Sequence, residues 1–264
     1  MTTATVDSSP GERPPRGRQW RAYRAHLLNE TRLHAREPAA LIFGAALPVT
    51  AIIVMCVFPA AREPVASMGG VSVITAYTPV LILFSSSILG LTIIPGTLGT
   101  YRESGVLRRL RTTPTSPLSL LTALITIISG FALLVAGIIV GIPAISGAGM
   151  PTHLGWFALA AAVSTICFVA MGALIASVVS NAKAAPGIGN AIAVVMWAAS
   201  GMWFPRAGFP DWLRTVADLT PGGATAQLML DASTTGSVEW QPFMVLLVWT
   251  LVSTALATRL FRWE

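Results

Sequence analysis

Six long apolar tracts constrain the fold of this chain more than any other feature of its sequence. They lie at about 39–58, 72–95, 117–145, 154–179, 186–204 and 241–258, and none contains Asp, Glu, Lys or Arg. A membrane-spanning helix needs about 20 apolar residues, because its backbone groups must bond to each other in lipid. The tracts are continuous and lack the alternation of barrel strands. The sequence therefore predicts an all-α integral membrane protein with six transmembrane helices.

Charged residues are scarce and unevenly placed, which supports this class and predicts an orientation. Only 11% of the 264 residues are charged, whereas soluble domains have about 25%. The arginines flank the apolar tracts, as in membrane proteins, and do not form a nucleic-acid footprint. With the N-terminus inside, 14 of 17 basic residues are cytoplasmic and only Arg62, Arg206 and Arg214 are outside. We expect a multi-pass protein of the bacterial inner (plasma) membrane with both termini cytoplasmic; abundant Arg beside a single Lys favours a bacterial source.

The segment before the first tract divides into two parts. Residues 1–18 are polar and rich in Pro, and they predict a disordered cytoplasmic tail before a membrane domain over 19–264. Residues 19–37 place Trp20, Tyr23 and Leu27 on one helical face with arginines mostly elsewhere. This pattern favours an amphipathic helix on the inner leaflet, and the alternative is a solvated juxtamembrane helix.

The loop at about 205–240 has helical signals of its own. Trp212, Leu213, Val216 and Leu219 share one helical face. Thr220 followed by Pro at position 221 then indicates the start of a second helix. We expect an extracellular re-entrant helical hairpin here, and the alternative is an ordinary structured loop.

The sequence lacks the groups that would power transport or catalysis. No tract holds an ionisable Asp, Glu, Lys or Arg for ion coupling, and no phosphate-binding loop surrounds Lys183. No catalytic set can be recognised, and the three histidines show no metal spacing. We therefore expect no cofactor or metal in this chain and no enzyme activity from it alone, so that any energy source lies in another subunit.

The stretch "YRESGVLRRLRTTPTSPLSLL" puts charge between the second and third apolar tracts. Thr100 and Glu103 have capping-box spacing, and Pro114 would stop a helix at about 100–111. In such a helix Val106, Leu107 and Leu110 would form a small apolar patch surrounded by arginines. An apolar patch with a charged rim is typical of a docking element. The alternative is a positive-inside loop whose leucines touch lipid. The predicted coupling residues are Arg102, Glu103, Val106, Leu107, Arg108, Arg109, Leu110 and Arg111.

The same stretch resembles the cytoplasmic loop of ABC-2 type permeases, especially the daunorubicin-resistance-like drug-export permeases. The family pattern R-E-x-G-x-L-x-R-L-x-x-T-P is matched in place from Arg102 to Pro114. The segment "GMWFPRAGFPDWLRTVADLTPGGATAQLML" is similar to a second family motif, which follows the fifth span. One departure is Gly222-Gly223, where such permeases often carry a bulkier residue, and it leaves the start of the second hairpin helix open.

The resemblance implies a permease dimer, with a homodimer expected, bound to two separate ATPase subunits that hold ATP and Mg. It also implies that spans two and five line the translocation path, for which the packing of neighbouring helices is the alternative. The path residues implied are Tyr77, Leu81, Phe84, Ser85, Ile88, Asn190, Val194 and Trp197.

The leading interpretation is the membrane subunit of an ABC exporter that moves small amphiphilic drug-like or lipid-like molecules, as in drug efflux and antibiotic resistance. One alternative is an ABC-2 exporter of polysaccharide, glycolipid or peptide, which neighbouring glycan-synthesis genes would indicate. Another is a non-transporting membrane scaffold or immunity protein, in which Leu107→Glu would leave ATPase association unchanged.

Overall fold

The computed structural model describes residues 38–106, 117–179, 181–234 and 239–260. The predicted tail, the predicted helix at 19–37 and residues 107–111 of the predicted coupling helix lie outside these ranges. The helices are α1 Pro38–Val57, α2 Val73–Ser87, α3 Ile94–Glu103, α4 Pro117–Ile145, α5 Leu154–Val178, α6 Ala184–Ser200, α7 Asp211–Asp218, α8 Pro221–Thr234 and α9 Trp240–Leu260. Two short strands, β1 Pro64–Val65 and β2 Val71–Ser72, form an antiparallel pair between α1 and α2.

Each of the six apolar tracts is helical, and the chain is a multi-pass membrane protein. Among the described residues, four helices are long and apolar enough to cross a bilayer, namely Val73–Glu103, Leu120–Ile145, Leu154–Val178 and Trp240–Leu260. The remaining apolar helices are α1, with 20 residues, and α6, with 17 residues. A helix of the length of α6 is about 25 Å long, against a hydrocarbon core of about 30 Å. Six membrane crossings therefore stay a prediction, and α6 would need local thinning of the bilayer to cross it.

The second span continues well beyond its apolar tract. The sequence placed its end near residue 95, but α2 runs through a wider π turn at Ile88–Ile93 into α3, which ends at Glu103. Ser72 caps the start of α2, because its hydroxyl accepts a hydrogen bond from the Thr75 amide at 3.1 Å. The second span is therefore one continuous helix from Val73 to Glu103.

The second span and α5 form the centre of the bundle. The long helix Val73–Glu103 is largely buried among its neighbours, whereas α9 leaves most of its side chains exposed. α5 contacts α9, α8, α4 and both halves of the second span. Phe157, Phe168, Leu83 and Leu91 are among the fully buried side chains of the resulting core.

Two helices, α7 and α8, form a hairpin within the segment 205–240, as predicted, and its extracellular, re-entrant placement stays a prediction. Thr220 caps α8 as expected, since its hydroxyl accepts a hydrogen bond from the Gly223 amide at 3.1 Å. Gly222 packs directly against the backbone of Met196 in α6, where a side chain would overlap the carbonyl group. Gly222, which belongs to the Gly222-Gly223 departure from the family pattern, therefore lets α8 begin close against α6.

Candidate functional site

Arg102 joins the end of α3 to the end of α5. Its guanidinium Nη1 donates hydrogen bonds to the carbonyl oxygens of Ala176 at 3.2 Å and Val179 at 3.4 Å. The Ala176 carbonyl belongs to the last turn of α5 and Val179 directly follows this helix. Carbonyls at a helix end lack intrahelical partners, and the helix dipole is negative there. A cation placed there stabilises the end of α5 and fixes its distance from α3.

Glu103 makes the matching contact with the start of α6. Its Oε1 accepts a hydrogen bond from the backbone amide of Ala182 at 2.8 Å. The side chain of Asn181 accepts from the next two amides, those of Lys183 at 2.8 Å and Ala184 at 3.0 Å. Amides at a helix start need acceptors and favour negative charge. Two adjacent residues of α3 thus provide hydrogen-bond partners for backbone groups at the end of α5 and just before the start of α6.

The predicted capping box at Thr100 and Glu103 is wrong. Thr100 lies inside α3, and its hydroxyl donates to the carbonyl of Gly96 at 3.0 Å. Glu103 ends this helix, and Gly105 follows in the left-handed region at φ +72°, a conformation that glycine adopts without strain. Val106 is half-buried just beyond this turn. Any coupling helix therefore starts after Gly105, and its docking role stays a prediction.

Close backbone contacts fix the second span against α5 and α6 deeper in the bundle. A Cβ on Gly90 would lie 2.6 Å from the carbonyl carbon of Phe168, and one on Gly172 would overlap the carbonyl oxygen of Gly90. In the same way, Gly189 of α6 packs against the carbonyl of Leu91. Small residues let membrane helices approach this closely. All three contacts fall at the π turn, so the bundle is tightest where the second span changes pitch.

The eight predicted path residues divide into three groups by exposure. Leu81, Phe84, Ser85 and Trp197 are buried within this chain. Tyr77 and Ile88 are half-buried, whereas Asn190 and Val194 are exposed on α6. The buried group packs between helices of this chain, which is the alternative that the sequence left open, and the role of all eight in a path stays a prediction.

A polar and aromatic cluster joins α2 to α6. The rings of Phe84 and Trp197 are 4.7 Å apart between centroids. The indole nitrogen of Trp197 donates a hydrogen bond of 2.8 Å to the hydroxyl of Ser87. Among the described residues, the buried hydroxyl of Ser85 has no hydrogen-bond partner. This cluster holds the two predicted path helices together within one chain.

A cavity of about 550 Å³ opens at the other end of the bundle, beside the hairpin. Tyr77 lines it together with apolar side chains such as Val80 and Leu230. Its charged lining residues are Arg206, Arg214, Asp218, Asp231 and Glu239. Sites for small ligands have volumes of about 300–1,000 Å³ and combine apolar walls with a few polar groups.

Arg206 holds the hairpin to α6 at the edge of this cavity. Its Nη1 donates hydrogen bonds to the carbonyls of Ala199 at 2.9 Å and Gly223 at 3.3 Å. Its Nη2 forms an ion pair with Asp218. One guanidinium therefore joins the end of α6, the end of α7 and the start of α8.

Asp231 is a buried acid in α8 that the sequence analysis missed. Burial, aided by the nearby charge of Glu239, raises its pKa to about 6, while a hydrogen bond from Gln227 at 2.8 Å opposes the shift. The signal was a lone acid in the small and apolar run "ATAQLMLDAS". Perturbed acids beside a cavity are candidates for functional groups.

Nothing in the described part of the chain suggests a metal centre, since no three His, Cys, Asp or Glu side chains there could hold a metal ion together. A search of curated proteins returned no match. The family model described as "ABC-2 family transporter protein" matches residues 46–259, a range that begins within α1, ends one residue before the end of α9, and contains the Arg102–Glu103 contacts and the hairpin. The chain therefore belongs to the ABC-2 family of transporter membrane proteins.

Proposed function

We propose that this chain is the membrane-spanning permease subunit of an ATP-driven ABC exporter. It works as a dimer, expected to be a homodimer, with two copies of a separate ATPase subunit that bind ATP and Mg. The ABC-2 match over residues 46–259 carries this proposal, because permeases of this family generally work with a separate ATPase.

The contacts of Arg102 and Glu103 support a cytoplasmic coupling role for the segment that follows them. Arginines cluster at residues 102–111, as in cytoplasmic loops. In this orientation the hairpin and its cavity face outward, and both termini lie in the bacterial cytoplasm. The two residues that precede this segment are hydrogen-bonded to the end of α5 and to the loop that leads into α6.

Small amphiphilic molecules, drug-like or lipid-like, are the proposed substrates. A cavity of about 550 Å³ with apolar, aromatic and charged lining fits a molecule of that size better than a polymer. Drug efflux, and with it antibiotic resistance, is the physiological role proposed on this basis.

Leu107→Glu and Leu110→Glu test the proposal, with Leu107→Met as the matched control. Each charged variant should insert into the membrane but lose the ATPase that co-purifies with the wild-type chain, because a carboxylate would replace an apolar docking side chain. The control should retain it. The readout is MgATP hydrolysis by the complex purified in mild detergent. A wild-type chain without any bound ATPase would favour the scaffold interpretation instead.

A further inference from the structure

The loop between α5 and α6 touches the chain just before the proposed coupling segment. The contacts are the hydrogen bonds of Arg102 to Ala176 and Val179 and the hydrogen bond from Ala182 to Glu103. They join residues 74 to 79 positions apart in the sequence. Nothing in the apolar packing of the spans requires two adjacent charged side chains there.

We infer that Arg102 and Glu103 are positioning residues that make the α5–α6 loop move with the coupling segment. The inference rests on the proposed function, since it concerns how a movement imposed by the ATPase reaches the spans. It assigns these two side chains to a contact inside the permease, where they act on α5 and α6, and leaves the contact with the ATPase to the residues after Gly105.

The contact between α3 and the α5–α6 loop is close at the level of the backbone. A Cβ on Gly99 would lie 2.6 Å from the Cα of Ala182, so α3 and the loop are in backbone contact beside the hydrogen bonds. Charge-assisted hydrogen bonds are short and about twice as strong as neutral ones. A displacement of the chain at Gly105 is therefore applied to three helices at once, namely α3, α5 and α6.

The second set of contacts, at the π turn, extends this connection into the membrane. Gly90 meets Phe168 and Gly172 of α5, and Leu91 meets Gly189 of α6. The second span, α5 and α6 are thus joined at the Glu103 end and again at the π turn. Helices joined at two levels rotate or tilt together as one body, whereas a single contact would allow a hinge.

Hydrogen exchange of the isolated permease tests the contact itself. In Glu103→Ala, amides of the 181–184 loop should exchange about tenfold faster than in the wild type, since an amide loses a charged acceptor. Glu103→Gln should stay close to wild type because its carbonyl oxygen still accepts. Glu103→Asp keeps the charge but shortens the reach, and it should resemble Glu103→Ala; it also replaces that variant if Glu103→Ala does not fold. Glu63→Ala, at an exposed acid, is the matched control.

Nucleotide dependence separates transmission from a merely structural role. In the complex with the co-purified ATPase, MgATP with vanadate should change exchange in the 181–184 loop of the wild type and of Glu103→Gln. Glu103→Ala and Glu103→Asp should still bind the ATPase and hydrolyse ATP, but their loop should no longer respond.

Three outcomes would overturn the inference. A loop that responds to nucleotide equally in all variants would show that the carboxylate transmits nothing. Release of the ATPase by Glu103→Ala would show that this residue is itself a docking contact. A wild-type permease that binds no ATPase would overturn the proposed function, and the inference with it.

Discussion

The indole nitrogen of Trp197 lies 2.8 Å from the hydroxyl oxygen of Ser87, and this hydrogen bond joins α6 to α2 inside the apolar core. Both side chains are buried. Hydrogen bonds between membrane helices contribute about 0.6 kcal/mol on average and up to about 1.7 kcal/mol.

We expect Ser87→Ala to lower the stability of the protein in detergent by about 1 kcal/mol, because it leaves a buried N–H without an acceptor. Ser146→Ala, at an exposed serine, is the control. Thermal unfolding followed by tryptophan fluorescence would measure both. A double-mutant cycle with Trp197→Phe should show coupling, and strictly additive effects would mean that the bond contributes nothing.

Gly172→Ala should strongly reduce the yield of folded protein. The added methyl group would overlap the carbonyl oxygen of Gly90, and overpacking of a tight contact costs about 1–3 kcal/mol or more. Gly137→Ala in α4 is the matched control, because no atom lies within 4 Å of its added Cβ. Size-exclusion chromatography after heating would compare them. Equal behaviour of the two variants would contradict the close contact between α5 and the second span.

Arg206→Ala should loosen the hairpin, since it removes two hydrogen bonds to carbonyls and the ion pair with Asp218. Loss of one partner from a buried pair costs about 3–5 kcal/mol, and partial exposure of Asp218 reduces this to about 2 kcal/mol. Arg214→Ala is the control, because this exposed arginine makes long hydrogen bonds of 3.5 Å to the carbonyls of Arg206 and Ala207. Limited proteolysis within residues 205–220 is the measurement. Cleavage of both variants at the wild-type rate would remove the structural role of Arg206.

Asp231 predicts a pH dependence of stability. Its pKa is raised from 3.8 to about 6, so the native state keeps a proton that the unfolded state has lost. The stabilisation is complete below pH 3.8 and is lost as the pH rises through about 6. The melting temperature should therefore fall mainly between about pH 4 and about pH 6 in the wild type, level off at higher pH, and change less in Asp231→Asn. Parallel curves for the two proteins would contradict the raised pKa.

The helices were predictable from the sequence, because the backbone N–H and C=O groups of an uninterrupted apolar tract in lipid must hydrogen-bond to each other. The hairpin was predictable for a different reason: Thr220 and Pro221 are local signals, and the cap on Gly223 confirms them. Both predictions depend only on residues that are near each other in the chain.

The end of α3 was not predictable in this way. A Thr and a Glu three residues apart occur at the start of a helix and also within one, so the spacing alone misled at Thr100. The helix continues because Arg102 and Glu103 find partners in α5 and at the start of α6. Contacts across 74 or more residues leave no trace in local spacing.

Burial was the least predictable property. All sides of a span are apolar, so hydrophobicity does not indicate which face meets protein, and it gave no sign that Leu81 and Phe84 are buried within this chain. The run of serines at 85–87 with Gly90 was the available signal. Small and polar residues in an apolar helix indicate contact with another helix.

The serines of α2 also set an order on biosynthesis. The hydroxyl oxygen of Ser86 lies 3.3 Å from that of Thr165 in α5. The hydroxyl of Ser87 accepts its hydrogen bond from Trp197, which is 110 residues later in the chain. At a synthesis rate of about 5–20 residues per second, α2 emerges about 5–20 s before its last partner. α5 is synthesised first and α6 later, so the second span reaches the membrane before either of the helices that bond to its serines. Until then a hydroxyl can bond within its own helix, as that of Ser87 does to the carbonyl of Phe84 at 2.9 Å. The second span therefore completes its contacts only after α6 has been synthesised.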